Sequence, residues 1–220
     1  MTEKKNPFVP GASGNSTPRV AAGLHPAVLV YMFDVGTHID QTYHKPKRKV
    51  VFEFELPNEK PFEAEPGRLV PRTLSRTFTA SLGENSHLRP ILESWRGKPF
   101  TAEELPTFDI SATLGKPCLL QVMHKEKKAG GGLYSNINTI LPASKPYPKA
   151  TITPYKFSVS DLDEASDLEG VGLPDWIKKM VTESEEYKLL LARGGNSSQS
   201  QQGPTSTHDD GPPEDDYAPF

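Results

Sequence analysis

Apolar positions in this chain fall into five extended runs and two helical stripes. Ala27 to Val35 (AVLVYMFDV) is a β-prone run entered after Pro26 and left at Gly36. Its near-continuous apolarity predicts a strand covered on both faces. Lys49 to Leu56 alternates, with Val50, Phe52, Phe54 and Leu56 on one side and Val51, Glu53 and Glu55 on the other, the period of a second strand. Arg72 to Leu82 puts Leu74, Phe78, Ala80 and Leu82 on one face, with Arg76 among them. Between these two strands a Pro- and Glu-rich stretch (Pro57, Pro61, Pro66, Gly67; Glu59, Glu63, Glu65) reads as a loop.

Helical spacing then replaces alternation. Ser86 is placed to cap a helix carrying Leu88, Ile91, Leu92 and Trp95, stopped by Gly97 and Pro99. Thr101 to Glu104 and Asp109 to Leu114 suggest further short helical starts. Pro117 to His124 (PCLLQVMH) returns to a strand pattern, and Leu133 to Leu141 (LYSNINTIL) pairs back after Lys125 to Lys128 and Gly130 to Gly132. Asp175 to Ala192 sets Trp176, Ile177, Met180, Val181, Tyr187, Leu190 and Leu191 near one stripe, an amphipathic helix expected to dock on the body. Three strands, a helix and two strands is the chain order of a mainly β, five-stranded OB barrel with its helix between strands 3 and 4, though small barrels and α+β sheets share that order. The expected organisation is a flexible arm (1–24), the barrel (25–160), an acidic linker with the docking helix (161–193) and a disordered acidic tail (194–220).

Charge divides the chain. Residues 1–160 hold 21 Lys and Arg against 14 Asp and Glu, while residues 161–220 hold 4 against 14. A basic body on an acidic leash suits a protein that binds a polyanion and keeps other surfaces off it. The last residues (DDGPPEDDYAPF) are too polar and proline-rich to order themselves and end on an aromatic beside the α-carboxylate. A pocket that holds a ring and pairs cations with carboxylates would accept Asp215, Asp216, Tyr217, Pro219 and Phe220. No apolar run approaches membrane-span length and the N-terminus lacks a signal-peptide core, so a cytoplasmic location is expected. The single cysteine, Cys118, allows no intrachain disulfide and no thiolate cluster.

The chemistry points to binding rather than catalysis. His25, His38, His44, His87, His124 and His208 show no metal-ligand spacing, and neither a Walker-type nor a dinucleotide-type glycine loop is present, so no catalytic residue, metal or cofactor is assigned. In OB folds the loop joining strands 1 and 2 and the loop joining strands 4 and 5 flank the oligonucleotide face, and both are basic here. The residues expected to contact DNA are Tyr43, Lys45, Lys47, Arg48 and Lys49 at the first loop, Lys125, Lys127, Lys128 and Tyr134 at the second, and Arg72 and Arg76 between them. Lysines and arginines would neutralise phosphates; the two tyrosines would stack bases. Arg76 stands out because a cation on an apolar face needs a partner, and phosphate is one. Phe52, Phe54, Phe78 and Trp95 are assigned to the core.

Specific words accompany this pattern: SHLRPILESWRGK (Ser86–Lys98), Phe100-Thr101, LGKPCLL (Leu114–Leu120), His124, YSNI (Tyr134–Ile137), GLPDWI (Gly172–Ile177) and Glu186-Tyr187. Over about residues 25 to 190 the chain resembles a tailed-phage and prophage family that includes OB-fold single-stranded DNA-binding proteins, and its tip resembles theirs. The resemblance implies an OB fold, sequence-tolerant single-strand binding, and a replication or recombination role in the host bacterial cytoplasm. The tail would recruit phage or host replication proteins. Two other classes stay open: a protein–protein adaptor without strand binding, and a metal-dependent nuclease drawing on Glu53, Glu55, Glu59, Glu63 and Glu65.

Overall fold

The computed structural model describes residues 19–40, 43–126 and 132–196. In chain order its elements are β1 (Gly23–Ile39), β2 (Pro46–Glu55), β3 (Phe62–Glu65), β4 (Arg68–Val70), β5 (Thr73–Thr79), α1 (Leu88–Arg96), β6 (Pro117–Glu126), β7 (Leu133–Pro142), β8 (Tyr155–Ser158), α2 (Asp167–Gly170), α3 (Asp175–Thr182) and α4 (Glu185–Asn196). The main sheet runs β5-β2-β1-β6-β7 with antiparallel neighbours, and β8 lies parallel to β1; β3 and β4 form a separate hairpin. The protein is thus mainly β, as expected. The expected closed barrel gives way to an open sheet, because β5 and β7 are not joined by strand pairing.

β1 organises everything else. One edge pairs with β2 from Val28 to Ile39, while the other pairs first with β6 (Gly23–Val28) and then with β8 (Tyr31–Asp34). Register shifts against β2 leave Val30 and Val35 as extra residues on β1, the bulges that bend and coil a long strand. A bulge also changes which side chains face inward. Leu29 and Met32 both enter the inner core, although they are three residues apart.

Both faces of β1 are buried, as its unbroken apolar run predicts. The inner core joins Ala27, Leu29 and Met32 of β1 to Val50, Phe52, Phe54 and Phe78, to Leu120, Val122, Ile137 and Ile140, and to one face of α1. Phe52 sits 5.3 Å from Phe78 and 6.2 Å from Phe54, ring centre to ring centre, and Phe54 meets Trp95 at 5.9 Å. The Trp95 indole donates to the Pro117 carbonyl (3.0 Å). Ser86 caps α1 by accepting from the Leu88 amide (3.1 Å), and Gly97 ends it in the left-handed conformation at φ 70°.

The outer core covers the other face of β1 with the C-terminal third of the chain. Tyr31, Phe33, Val35 and Val51 pack under Ile152, Phe157, Leu162, Leu168, Leu173, Ile177 and Val181. The amphipathic stretch expected as one helix is two, α3 and α4. Ser184, fully buried, donates to the Val181 carbonyl (2.6 Å) and accepts from the Tyr187 amide (3.2 Å), closing one helix and capping the next. Its neighbour Glu186 reaches β1, accepting from the Thr37 amide (2.6 Å) and hydroxyl (2.7 Å). Gly36 makes room for this contact. A Cβ there would stand 2.6 Å from the Glu186 carboxylate and 2.7 Å from the Ser184 Cβ, and its φ of 82° also favours glycine.

This cover buries two carboxylates on the outer face of β2. Glu55 is saturated: it accepts from the Thr151 amide and hydroxyl and from the Ile152 amide, at 2.8–3.0 Å. For Glu53, burial pushes the carboxyl above its ordinary range, and a hydrogen bond with Thr73 offsets this in part. The folded chain therefore holds that proton to higher pH than the unfolded chain. Stability drawn from the neutral form falls as pH rises from the ordinary carboxylate range towards the raised folded value. Thermal denaturation of Glu53→Gln beside the parent should show the variant's relative melting temperature climbing as pH rises through and above the ordinary carboxylate range. A difference that stays constant over that span contradicts the assignment.

Candidate nucleic-acid interface

Two β-hairpin arms carry the aromatic and basic residues that the sequence singles out. The β1–β2 arm is organised by Asp40. Its amide donates to the Lys45 carbonyl (2.9 Å), its carbonyl accepts from the His44 amide (2.8 Å), and its carboxylate takes the Tyr43 amide (2.9 Å) and the Lys47 ammonium (2.8 Å). His44 has a φ of 51°, the left-handed geometry that reverses the chain here. The result presents Tyr43 with its ring 70% exposed, the Lys47 ammonium 5.8 Å from the ring centre, and Lys45 in solvent. Lys49, half-buried, lies on β2 opposite Gly36 and Thr79.

The β6–β7 arm pairs Lys125 directly with Tyr134, so an exposed ammonium and a ring that is 40% exposed share one face. Met123, 46% exposed, lies one pair further in on that face, opposite Asn136. The other face of the arm is held by the incoming chain. The Val20 carbonyl accepts from the Ser135 hydroxyl (2.8 Å) and lies 2.9 Å from the His124 ring, and Val20 itself is buried in the inner core. Lys127 and Lys128 lie outside the described residues, as do Asp215, Asp216, Tyr217, Pro219 and Phe220.

The arginines have partners within the protein. Arg48 is bound through two of its nitrogens to Asp34, through a third contact to the Ser160 hydroxyl (2.7 Å), and more loosely to Glu186 (3.5 Å). It joins β2 to the C-terminal layer, and the hydrogen bond to Asp34 raises its pKa despite partial burial. Burial pushes the Glu186 carboxyl up, yet the Thr37 donors and the Arg48 charge bring it below the ordinary value. Arg72 is 6% exposed and packs against the Phe62 ring of the β3–β4 hairpin (5.3 Å).

Arg76 shows why a cation sits on an apolar face. A register shift makes Asn138 an extra residue on β7, which lets Ile137 and Ile140 both point into the inner core. Arg76 donates from one nitrogen to the Ile137 carbonyl (2.9 Å) and the Asn138 carbonyl (2.8 Å), and lies 4.8 Å from the Phe78 ring centre. Its partner is thus the bulge itself, across the opening between β5 and β7, and not only the phosphate expected from the sequence. Tyr43, Lys45, Lys125 and Tyr134 face outward from the arms while the arginines hold the frame.

Other expected features resolve simply. Cys118 is fully buried, and loss of solvent pushes its thiol well above the ordinary range, the state of an inert core residue. Among the described residues, no group of three or more His, Cys, Asp or Glu is placed to hold a metal ion, and no helix is long and apolar enough to cross a membrane. No protein-family model and no curated protein matches the chain.

If Arg76 joins β5 to β7, its loss should act on stability. Arg76→Met keeps much of the stem while removing charge-assisted hydrogen bonds of roughly 1.5–3 kcal/mol. Urea denaturation should show a loss of about 2 kcal/mol, with the half-exposed site placing it towards the lower part of that range. An unchanged midpoint and slope would remove Arg76 from the frame.

Proposed function

We propose that this chain is a non-enzymatic, sequence-tolerant single-stranded DNA-binding protein of the OB type, which coats single strands during phage replication or recombination. The observation that carries the reading is the pair of outward arms, each setting an exposed tyrosine beside a lysine: Tyr43 with Lys47, and Tyr134 with Lys125. A ring gives any base a stacking surface and an adjacent ammonium takes the neighbouring phosphate, so grip needs no base-specific hydrogen bond. The strand connections support the fold part of the proposal. A long first strand shared between β2 and β6, with a helix between the third and fourth long strands in chain order packing into the inner core, has OB connectivity. In this reading the β5–β7 opening spanned by Arg76 is the barrel's last seam.

The phosphate contacts of the proposal are Lys45, Lys47, Lys49, Lys125, Lys127 and Lys128. Arg48, Arg72 and Arg76 act on the frame that holds the arms. The acidic tip, from Asp215 to Phe220, recruits replication proteins through its ring and carboxylates, in keeping with the family resemblance of the sequence.

Titration of the full chain with poly-dT, duplex DNA and RNA oligomers at two salt concentrations tests the reading. Single-strand affinity should fall with salt at a logarithmic slope of roughly −0.7 for each phosphate neutralised. A flat response, equal affinity for duplex, or no strand binding at low salt would overturn it, the last in favour of a protein-binding adaptor.

Tyr43→Ala and Tyr134→Ala should each weaken poly-dT binding by about 1–3 kcal/mol. Melting temperatures should move little, since both rings are exposed. Normal affinity in both variants would remove stacking from the mechanism.

A further inference from the structure

The segment after β7 carries a third exposed ring that neither arm accounts for. Tyr147 is 52% exposed and stands between Lys145 and Lys149, both in solvent, in the run Lys-Pro-Tyr-Pro-Lys. Its position follows from the strand register. Pro142 ends β7 opposite Cys118, Pro117 pairs with Val28, and Val28 pairs with Glu55. Nine residues after Pro142, Thr151 is bound to Glu55 on the outer face of β2. Residues 143–150 therefore run from β7 to the β2 side near the β6 end that lies opposite the arm, and Ala150 already packs on the outer core.

β6 links this crossing to the arm. From Pro117 to Lys125 it spans eight residue steps, roughly 26 Å. Between them the outward face of β6 and β7 offers Gln121 with Asn138 hydrogen-bonded to it (2.9 Å), then Met123 beside Asn136. Charge favours one kind of occupant: residues 127–160 contain five lysines and no aspartate or glutamate. The outer face of β1 and β2, by contrast, is filled by the C-terminal layer. A polyanion leaving the β6–β7 arm has an acid-free stretch of chain along β7 and its continuation.

We infer that Tyr147, with Lys145 and Lys149, is a second stacking and phosphate-binding point, and that a single strand runs from Tyr134 along the outward face of β6 and β7 to reach it. The inference rests on the proposed function and adds the path. Tyr147 supplies the ring face, Lys145 and Lys149 bracket it with charge, and the amides of Gln121, Asn136 and Asn138 offer polar contacts between the two rings without demanding one base.

Length dependence isolates this path. The full-length protein, Tyr147→Ala, Tyr147→Phe, Lys145→Ala with Lys149→Ala, and Tyr134→Ala would be titrated with oligo-dT of about 5 and about 15 nucleotides, within the range one such fold covers. Tyr147→Ala should weaken binding of the longer strand by about 5- to 150-fold, the equivalent of one stacked base, with a much smaller effect on the short one. Tyr147→Phe should restore it, and the lysine pair should flatten the salt dependence for the longer strand. Equal melting temperatures would show that the fold is intact. Parent-like binding of both lengths by Tyr147→Ala, alongside a loss in Tyr134→Ala, would overturn the path and leave the proposed function standing. Failure of the parent to bind either strand would take both down. Poly-glutamate binding lost in Tyr147→Ala with oligo-dT binding unchanged would assign the site to an acidic protein and overturn the inference.

Discussion

Burial of both faces of one strand is the constraint from which this architecture follows. A strand that hides Leu29 and Met32 on one side and Tyr31 and Phe33 on the other needs two covers. Hydrophobic burial supplies roughly 1.5–3 kcal/mol for each large side chain enclosed, so neither cover is dispensable. The inner one is made by the rest of the sheet and α1, the outer one by the chain beyond β7. The bulges at Val30 and Val35 let β1 bend between these surroundings while keeping large side chains out of water.

The division of labour among cations follows from side-chain geometry. A guanidinium offers several donors in a fixed plane and can hold two or three acceptors at once. Arg48 does this with Asp34 and Ser160, and Arg76 with two carbonyls at a bulge. An ammonium is a compact, strongly hydrated charge on a flexible stem, poorly suited to organising a seam but well suited to meeting a mobile anion. Lys45 and Lys125 remain exposed at the arms, while Lys47 pairs with Asp40 at the arm's own turn.

Much of this was legible in the sequence. Alternation in Lys49–Leu56 marks β2 and its inward aromatics, Ser86 and Gly97 bracket α1, and the unbroken run of β1 foretells its double burial. Short elements escaped. β3, β4 and β8 are three or four residues long, too few for a period to emerge, and β3 and β4 lie in a stretch whose prolines and acids read as loop. The break between α3 and α4 is also silent in the apolar stripe, which continues through it; the signal was Ser184, a capping residue inside a helical pattern. For the arginines the missing information is long-range. Arg48 meets Glu186 across 138 positions and Arg76 meets Ile137 across 61, separations at which composition and periodicity say nothing. Tyr43 was readable because a turn exposes its side chains locally, and Tyr134 because it stands at the outer end of β7 beside a basic, glycine-rich connection.

The order of the two cores along the chain has a consequence for biosynthesis. Among the described residues the inner core lies between Val20 and Ile140, whereas the cover over the outer face of β1 comes from Ala150 onward. A nascent chain can thus complete its first core while the ribosome still holds the second, and in that interval Tyr31, Phe33, Val35 and Val51 form an uncovered apolar wall. Chaperone demand and aggregation risk would peak in that window. The same arithmetic sets a limit for evolution: a stop codon or frameshift between the end of β7 and α3 removes part or all of this cover. Cover of this wall constrains the chain only as far as the helices that supply it.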